Sequence, residues 1–342
     1  MEKESCKILF KDDTYFYADE VLCVDFHSFI YVVCATYQLD EISGKRNGSV
    51  LLYKKLHDEK SFVLLKRLKC DGIYNMKLFK HDGKVLLFSA CAQAKINVYT
   101  LENDDLILTA KFEGNESDLF LSIDTMNSLN ELFVVASNNI GMISVYKYYG
   151  ELFECVIEWK AHHYETWAVC FEVGNNSEVF SGADDGTLVR WKLDYSTNNA
   201  YPLKRKQHQM GICSILNHPS DSNLLAYGSY DEHVRILNKD TSQIIYSVNT
   251  NGGVWRFNFS PNDENLIATA SMHGGVCIIN IKEQKILQNF RGHESIAYGV
   301  DWIDSTTLAS CSFYDHTFLI WTYLDNRHFS SNDVLNLINI VL

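Results

Sequence analysis

The sequence is poor in the features that mark several classes of protein. It has only 3 prolines and 18 glycines in 342 residues, which argues against a disordered or low-complexity chain. The longest apolar run, Phe29 to Ala35, is too short to cross a bilayer. The first residues carry acidic charge and no apolar run, so we expect no signal peptide. These absences predict a cytoplasmic protein that does not associate with membranes.

Basic residues are in deficit as well. There are 30 Lys and Arg residues against 43 Asp and Glu residues, which gives a formal net charge of −13. Proteins that bind nucleic acid usually present a basic face, so we expect no direct nucleic-acid partner. A cationic substrate or partner suits this charge better.

The chain also lacks the short motifs of familiar enzymes. No G-x-S-x-G elbow, P-loop, G-x-G-x-x-G or H-E-x-x-H occurs. The 10 cysteines form no C-x-x-C pair and show no metal-ligand spacing, so we interpret them as reduced, mostly buried thiols. Residue spacing alone therefore predicts no cofactor and no metal, and it favours a protein-interaction platform over an enzyme.

The sequence does contain an internal repeat. Two apolar strands separated by a short polar break recur, and the second strand ends at an aromatic or aliphatic residue. The seven end positions are Tyr53, Tyr99, Val145, Trp191, Leu237, Ile279 and Trp321. Their separations, four of 46 and two of 42 residues, are close to the WD-repeat period of about 40–45 residues. We predict an all-β, seven-bladed WD-repeat propeller over residues 1–324, with 325–342 a C-terminal tail or an extra edge strand.

Two strands could close such a ring. We expect the N-terminal strand Cys6–Phe10 to be the outer strand of the last blade, and the alternative is Val334–Val341. In WD propellers a His and an Asp form a buried network with a Ser or Thr and a Trp. We interpret His162, His208 and Asp231 as members of this framework. Nothing in the sequence predicts more than a monomer.

One repeated position departs from the framework. The fifth residue after the framework histidine is large or reactive in four consecutive blades: Trp167, Cys213, Trp255 and Tyr298. These residues either pack in the core or form an arc around one mouth of the central channel, as an aromatic-lined funnel. Loops predicted on the same face carry further candidate binding residues, because binding residues concentrate on loops held by a rigid scaffold. They are Tyr37, Asp184, Tyr230 and Tyr314.

Three histidines also depart from the repeat. In blade six His273 stands at the usual Asp position and Thr250 replaces the usual His. The two residues either form a swapped structural pair or leave His273 as a free imidazole that can act as an acid or base near neutral pH. His233 and His316 lie beside framework aspartates and have no evident structural role.

These departures carry a resemblance to one family. The segments concerned include Tyr-Asp-Glu-His, Ser-Met-His and Phe-Tyr-Asp-His, in that order along the chain. They are Cys34–Leu39, Ala161–Trp167, Ser181–Gly186, Met210–Ser214, Gly228–His233, Gly252–Arg256, Ser271–Gly274, Ser295–Trp302 and Ser310–His316. Together they resemble the WD-repeat diphthine methyl esterases of diphthamide biosynthesis, and the similarity runs from residue 34 to residue 321.

The resemblance implies an activity that spacing did not predict. It implies hydrolysis of a methyl ester on a modified histidine of translation elongation factor 2, giving diphthine for later amidation. The implied substrate carries a quaternary ammonium close to the ester. Aromatic faces attract such cations by about 0.5–2 kcal/mol each, so Trp167, Trp255 and Tyr298 are candidate walls for it. Glu165 and Asp184 are expected to add electrostatic attraction.

Ester hydrolysis also needs a base for water or a nucleophile. His273 is the first candidate base, with His233 and His316 in reserve. Cys213 is either a nucleophile or a buried, inert thiol. The alternative to an enzyme is a non-catalytic scaffold or adaptor that binds elongation factor 2 or ubiquitin-ligase components through the same face.

Overall fold

The computed structural model describes residues 6–56 and 61–323. Its 28 strands form seven antiparallel sheets of four strands each. The predicted all-β, seven-bladed propeller is therefore confirmed. In the described residues no helix is long and apolar enough to span a membrane.

The strands follow one another blade by blade. Strand β1 is Cys6–Asp13. Blade 1 contains β2 (Tyr17–Phe26), β3 (Phe29–Leu39), β4 (Arg46–Lys55) and β5 (Phe62–Asp71). Blade 2 contains β6 (Ile73–His81), β7 (Lys84–Cys91), β8 (Lys95–Glu102) and β9 (Asp105–Glu113). Blade 3 contains β10 (Phe120–Ser128), β11 (Glu131–Asn138), β12 (Met142–Tyr148) and β13 (Phe153–Lys160).

The remaining blades repeat this plan with shorter strands. Blade 4 contains β14 (Ala168–Glu172), β15 (Asn175–Gly182), β16 (Thr187–Asp194) and β17 (Asn199–Gln207). Blade 5 contains β18 (Ile212–Asn217), β19 (Leu224–Ser229), β20 (His233–Asn238) and β21 (Ile244–Asn249). Blade 6 contains β22 (Arg256–Phe259), β23 (Leu266–Ala270), β24 (Val276–Asn280) and β25 (Lys285–Phe290). Blade 7 contains β26 (Ala297–Trp302), β27 (Thr307–Ser312) and β28 (Thr317–Tyr323).

The N-terminal strand closes the ring. Strand β1 pairs with β28 in antiparallel register, from Cys6 opposite Tyr323 to Asp13 opposite Thr317. The first of the two predicted modes of closure is therefore confirmed. The alternative strand Val334–Val341 and the predicted tail 325–342 lie outside the described residues.

The hydrophobic core lies between neighbouring blades. The cluster between blades 3 and 4, for example, joins Val135 and Trp159 to Phe171, Val179 and Trp191. In each sheet the alternating apolar positions of the middle strands face the two adjacent sheets, as period-2 strands require. Each blade is thereby held by its neighbours, and the innermost strands keep fixed positions around the central channel.

Blade 4 contains the predicted framework network. The hydroxyl of Ser181 accepts a hydrogen bond from Trp191 Nε1 at 2.7 Å and lies 2.7 Å from His162 Nε2. His162 Nδ1 is 3.1 Å from Asp185 Oδ2. The turn that carries Asp185 depends on Gly186, whose φ is +72° and whose missing Cβ would lie 2.7 Å from a backbone oxygen.

Blade 5 departs from this framework. Asp231 binds both terminal nitrogens of Arg235 at 2.8 Å, whereas Nε2 of His208 is buried without a hydrogen-bond partner in the described chain. The predicted network between His208 and Asp231 is therefore wrong, because Arg235 of β20 takes the place of the histidine as the partner of Asp231. Burial lowers the pKa of His208 to about 4, with a further contribution from Arg235.

A β-bulge recurs near the start of the innermost strand. It occurs in five blades, and each bulge leaves one residue without a partner on the adjacent strand. The unpaired residues are Asp19, Tyr74, Leu121, Cys213 and Tyr298. In blades 4 and 6 the equivalent residues, Trp167 and Trp255, come just before the strand. A bulge re-aims the side chain it carries, so all seven blades present one residue at the same mouth of the channel.

Candidate functional site

Six aromatic rings surround this mouth, and we call them the aromatic collar. Neighbouring centroids are 5.2 Å apart for Trp167 and Trp255, 4.9 Å for Trp255 and Tyr298, and 4.8 Å for Tyr298 and Phe313. The series continues at 5.1 Å from Phe313 to Tyr37 and at 4.7 Å from Tyr37 to Tyr74. Tyr74 and Trp167 belong to one hydrophobic cluster, which also contains Leu121 of blade 3.

The collar combines two structural positions in the repeat. Four of its members, Tyr74, Trp167, Trp255 and Tyr298, occupy the position at the start of the innermost strand. Tyr37 lies near the end of β3 and Phe313 follows β27, so these two come from the second strand of their blades. Trp255 is 4% exposed, whereas Trp167, Tyr298 and Tyr37 are partly exposed. Tyr74 and Phe313 are also buried, at 6% and 4% exposure, so Trp167, Tyr298 and Tyr37 are the three collar rings that present surface to a ligand.

Further aromatic rings extend the collar outward. The Tyr230 ring lies 5.9 Å from that of Trp255, and the Tyr17 ring lies 4.6 Å from that of Phe313. Tyr314 contacts Phe313 at 4.9 Å and is 62% exposed. The sequence-predicted binding residues Tyr37, Tyr230 and Tyr314 thus lie in or beside the collar.

Two predicted acidic residues lie at the rim. Asp184 is exposed and Glu165 is partly exposed, and the backbone oxygen of Glu165 accepts a hydrogen bond from the Asp184 amide. A Cβ on Gly211 would lie 2.9 Å from Asp184 Oδ1 and 3.1 Å from the Tyr230 ring. Glycine at this position therefore lets the Asp184 carboxylate sit close to an aromatic face of the site.

A buried carboxylate lies beneath the collar. Trp255 Nε1 donates a hydrogen bond of 2.9 Å to Oδ1 of Asp19, which is 0% exposed. Burial raises the pKa of Asp19 to about 6, although Arg256 and the indole N–H act in the opposite direction. Asp19 is the only acidic residue among the seven channel-mouth residues, and sequence analysis missed it.

A second polar layer follows one residue further along the innermost strands. Arg256 lies with its guanidinium carbon 5.0 Å from the centre of the Trp255 ring, and its Nε is 3.6 Å from Glu20 Oε1. Asn75 Nδ2 donates to both Glu20 carboxylate oxygens at 2.9 Å. Burial raises the pKa of Glu20 to about 7, against the opposing effect of Arg256. This layer lines a channel cavity of about 110 Å³.

The sequence contained a signal for these missed residues. Asp19 and Tyr74 occupy the same repeat position as Trp255, but blades 1 to 3 lack the framework histidine on which the repeats were aligned. The spacing is also irregular there, with 55 residues from Asp19 to Tyr74 and 47 from Tyr74 to Leu121. Steps of 46 and 47 residues back from Trp167 reach Leu121 and Tyr74, whereas the 55-residue step to Asp19 becomes visible only where the structure places its bulge.

The first candidate base lies outside the collar. His273 is exposed and lines a separate surface groove with Met272, Arg291 and Tyr314. It forms no pair with Thr250, whose hydroxyl donates to the backbone oxygens of Glu232 and Gly252. The predicted swapped pair in blade six is therefore wrong.

The two reserve histidines differ in position. His233 Nδ1 donates a 2.7 Å hydrogen bond to the backbone oxygen of Asp231 and stays within its own turn. The His316 ring lies 5.0 Å from that of Tyr17, which contacts Phe313 of the collar. In the described chain Nε2 of His316 is buried without a hydrogen-bond partner. Of the three predicted histidines, His316 is the one that packs against the aromatic wall.

Cys213 belongs to the channel-mouth position but is completely buried. Its Sγ contacts the backbone oxygen of Gly211 at 3.8 Å, and burial raises the pKa of the thiol far above neutral pH. A thiol held in its protonated form is a weak nucleophile. The environment of Cys213 therefore favours the inert-thiol interpretation.

Comparison with known proteins agrees with the fold. The family described as WD domain, G-beta repeat matches residues 284–322. A diphthine methyltransferase homolog of Dictyostelium discoideum is 31% identical, covering 89% of this chain and 96% of its own length. The diphthine methyltransferase of Schizosaccharomyces pombe is 30% identical over 85% of this chain and 90% of its own length. That of Mus musculus is 30% identical, with coverage of 86% and 69%.

The chain belongs to the WD-repeat diphthine methyltransferase family. This membership confirms the resemblance identified in the sequence and links the chain to diphthamide biosynthesis. In this chain the aromatic collar lies beside the buried carboxyl groups of Asp19 and Glu20, which we call the acidic floor. In the described residues no group of three or more His, Cys, Asp or Glu side chains is arranged to hold a metal.

Proposed function

We propose that this chain hydrolyses the methyl ester of methylated diphthine on translation elongation factor 2, as a cytoplasmic monomer without a cofactor. The products are methanol and diphthine, which is then available for amidation. The names of the relatives contain diphthine and describe methyl transfer. In the reaction proposed here, water takes the place of the acceptor.

The aromatic collar carries the proposal. A quaternary ammonium has no N–H to donate, so proteins bind it through aromatic faces, which contribute about 0.5–2 kcal/mol each. The Trp255 ring centroid lies 5.2 Å from that of Trp167 and 4.9 Å from that of Tyr298. The ester of the proposed substrate is close to its ammonium group. A reacting group must therefore lie beside the collar, within a few ångströms of the aromatic wall.

His316 is the base that this geometry favours. Its Nε2 is buried and has no hydrogen-bond partner in the described residues, so the proposed mechanism requires that substrate binding open this nitrogen to a water molecule. The imidazole takes a proton from water as the oxygen attacks the ester carbonyl carbon. The tetrahedral intermediate then collapses, the C–O bond to the methoxy group breaks, and the imidazolium returns the proton to give methanol. The new carboxylic acid loses its proton to solvent.

The first experiment measures the mass of the modified peptide. Purified protein is incubated with elongation factor 2 bearing the methylated intermediate, in water enriched in ¹⁸O. Hydrolysis lowers the mass by one CH₂ group because the methyl ester becomes a carboxyl group. When the acyl–oxygen bond breaks, ¹⁸O from water enters the carboxylate and adds the heavy-oxygen increment. Methyl transfer to the peptide raises the mass by one CH₂ group and requires a methyl donor.

A pair of substitutions then tests the base. His316 has a positive φ of 54°, which asparagine tolerates better than most residues, so His316→Asn keeps the backbone. We expect this variant to lose about 100-fold or more in kcat, with little change in KM. His273→Asn is the matched control, and we expect its kcat to stay near that of the wild type. Full turnover by His316→Asn would remove this histidine from the mechanism.

The same assay tests the non-catalytic alternative. The exposed Tyr314 ring beside the collar offers aromatic surface for protein docking, as a scaffold or ubiquitin-ligase adaptor would need. An unchanged peptide mass with elongation factor 2 still bound would favour the scaffold. Stable copurification with ligase components would favour the adaptor.

A further inference from the structure

Asp19 is buried in a manner that its structural contacts do not explain. Its Oδ1 accepts the hydrogen bond from Trp255 Nε1. Its Oδ2 is also buried but has no hydrogen-bond partner in residues 6–56 and 61–323. An unpaired carboxylate oxygen inside a protein is unfavourable. A residue that served only to hold the Trp255 indole could be a neutral amide.

The charge of Asp19 acts on the collar above it. After burial, this charge is a cause of the raised phenol pKa values of Tyr37, Tyr74 and Tyr298. These tyrosines come from blade 1, which carries Asp19, and from blades 2 and 7 on either side of it. A cation bound against the collar would experience the same charge through a medium that screens it weakly.

The charges around Asp19 add up to a negative floor. Arg256 faces Asp19 from blade 6, and Glu20 follows Asp19 on β2. The Arg256 charge lowers the pKa of both carboxyls, and the Asp19 charge raises that of Glu20. Arg256 opposes two carboxylates, and Lys77 in the same cavity is paired with Asp124 at 2.8 Å. This leaves one negative charge in excess when the three carboxylates are ionised. The rim residue Asp184 is exposed, so water and salt screen its attraction for a bound cation more strongly.

We propose that Asp19 is the buried counter-charge that holds a quaternary ammonium group in the aromatic collar. A nearby negative charge strengthens the binding of a quaternary ammonium. Because this cation donates no hydrogen bond, a carboxylate that attracts it can keep one oxygen without a hydrogen-bond partner. The inference rests on the proposed function for the kind of substrate, but it concerns binding and not the hydrolytic step.

The probe is choline, compared with its neutral isostere in which a tert-butyl group replaces the trimethylammonium. Calorimetric titration measures the affinity of both compounds. Asp19→Asn keeps an oxygen for the Trp255 indole and removes the charge. Asp221→Asn is the control because it removes the same formal charge far from the collar. Asp221 is exposed and lies between β18 and β19, at the end of the blade opposite the collar.

We expect the wild type and Asp221→Asn to prefer choline over the isostere. Asp19→Asn should lose about tenfold or more in choline affinity, as expected for one weakly screened charge, and bind the isostere as before. Equal choline affinity in Asp19→Asn and the wild type would overturn the proposal, because that result is expected if Asp19 only supports Trp255.

The wild type alone provides a second test that does not depend on the folding of a variant. The groups that face Asp19 are Glu20, Arg256 and the collar phenols, and the pKa of Asp19 is raised to about 6. A bound cation stabilises the ionised carboxylates and lowers their pKa, so choline binding near pH 6 should release protons. Calorimetry in buffers of different ionisation enthalpy measures this release, and its absence would contradict the proposal.

These results are separable from the hydrolysis assay. Choline binding that depends on Asp19, without a change in the peptide mass, would support the counter-charge and reject the esterase. Hydrolysis with full choline affinity in Asp19→Asn would support the esterase and reject the counter-charge.

Discussion

Replacement of Asp19 by asparagine should stabilise the folded protein at neutral pH. Burial raises the pKa of Asp19 from 3.8 to about 6, so folding opposes ionisation of this carboxyl. The shift of about 2 pKa units corresponds to ~3 kcal/mol, since one unit is about 1.4 kcal/mol. The wild type loses this stability as the pH rises from about 4 to above 6. Asp19→Asn has no charge to bury and retains its hydrogen bond from Trp255.

The sign and the pH window make this prediction specific. Urea unfolding followed by tryptophan fluorescence at several pH values between 4 and 8 gives the free energy of unfolding of both proteins. The variant should be more stable by ~3 kcal/mol at pH 8, and the difference should disappear near pH 4. Asp221→Asn controls for the loss of one exposed charge. A variant that is no more stable than the wild type at pH 8 would refute the argument that the floor of the collar is destabilised by a buried charge.

Other substitutions test the framework and the site separately. Ser181→Ala removes the shared partner of a buried indole and imidazole, so we expect a loss of ~2–4 kcal/mol in urea unfolding, whereas Ser177→Ala should change little. Arg256→Gln leaves the Glu20 carboxylate without its cation, which should destabilise the protein by ~3–5 kcal/mol at pH 8 and by less at pH 5. Trp255→Ala should weaken binding of the elongation-factor substrate in a pull-down titration, and unchanged affinity would count against the collar as its binding site.

The fold was predictable because residues close together in the sequence determine each repeat. The repeat positions lie in the third strand of each blade, one to three residues before its end. Leu237, Ile279 and Trp321, for example, lie in β20, β24 and β28. Alternating burial and turn residues determine these elements within one blade, so no long-range information was needed.

The floor of the site depends on contacts between distant blades. The Trp255–Asp19 hydrogen bond joins residues 236 positions apart, and no local pattern records such a pair. The same limit applies to His208, where Arg235 takes the acceptor that the framework assigns to histidine. Trp167, Trp255 and Tyr298 were predicted from periodicity, but Tyr74 and the charged neighbours of the collar required the ring to be closed.

The departures from sevenfold repetition are what give the mouth its chemistry. One repeated position supplies four large aromatic residues and a single carboxylate, Asp19. The next position along the same strands supplies Glu20 from blade 1 and Arg256 from blade 6. A ring of identical blades would present a symmetric apolar opening. Asp19 and Glu20 on blade 1 and Arg256 on blade 6 instead give the opening a negative floor under aromatic walls. Such an arrangement favours a cation without hydrogen-bond donors.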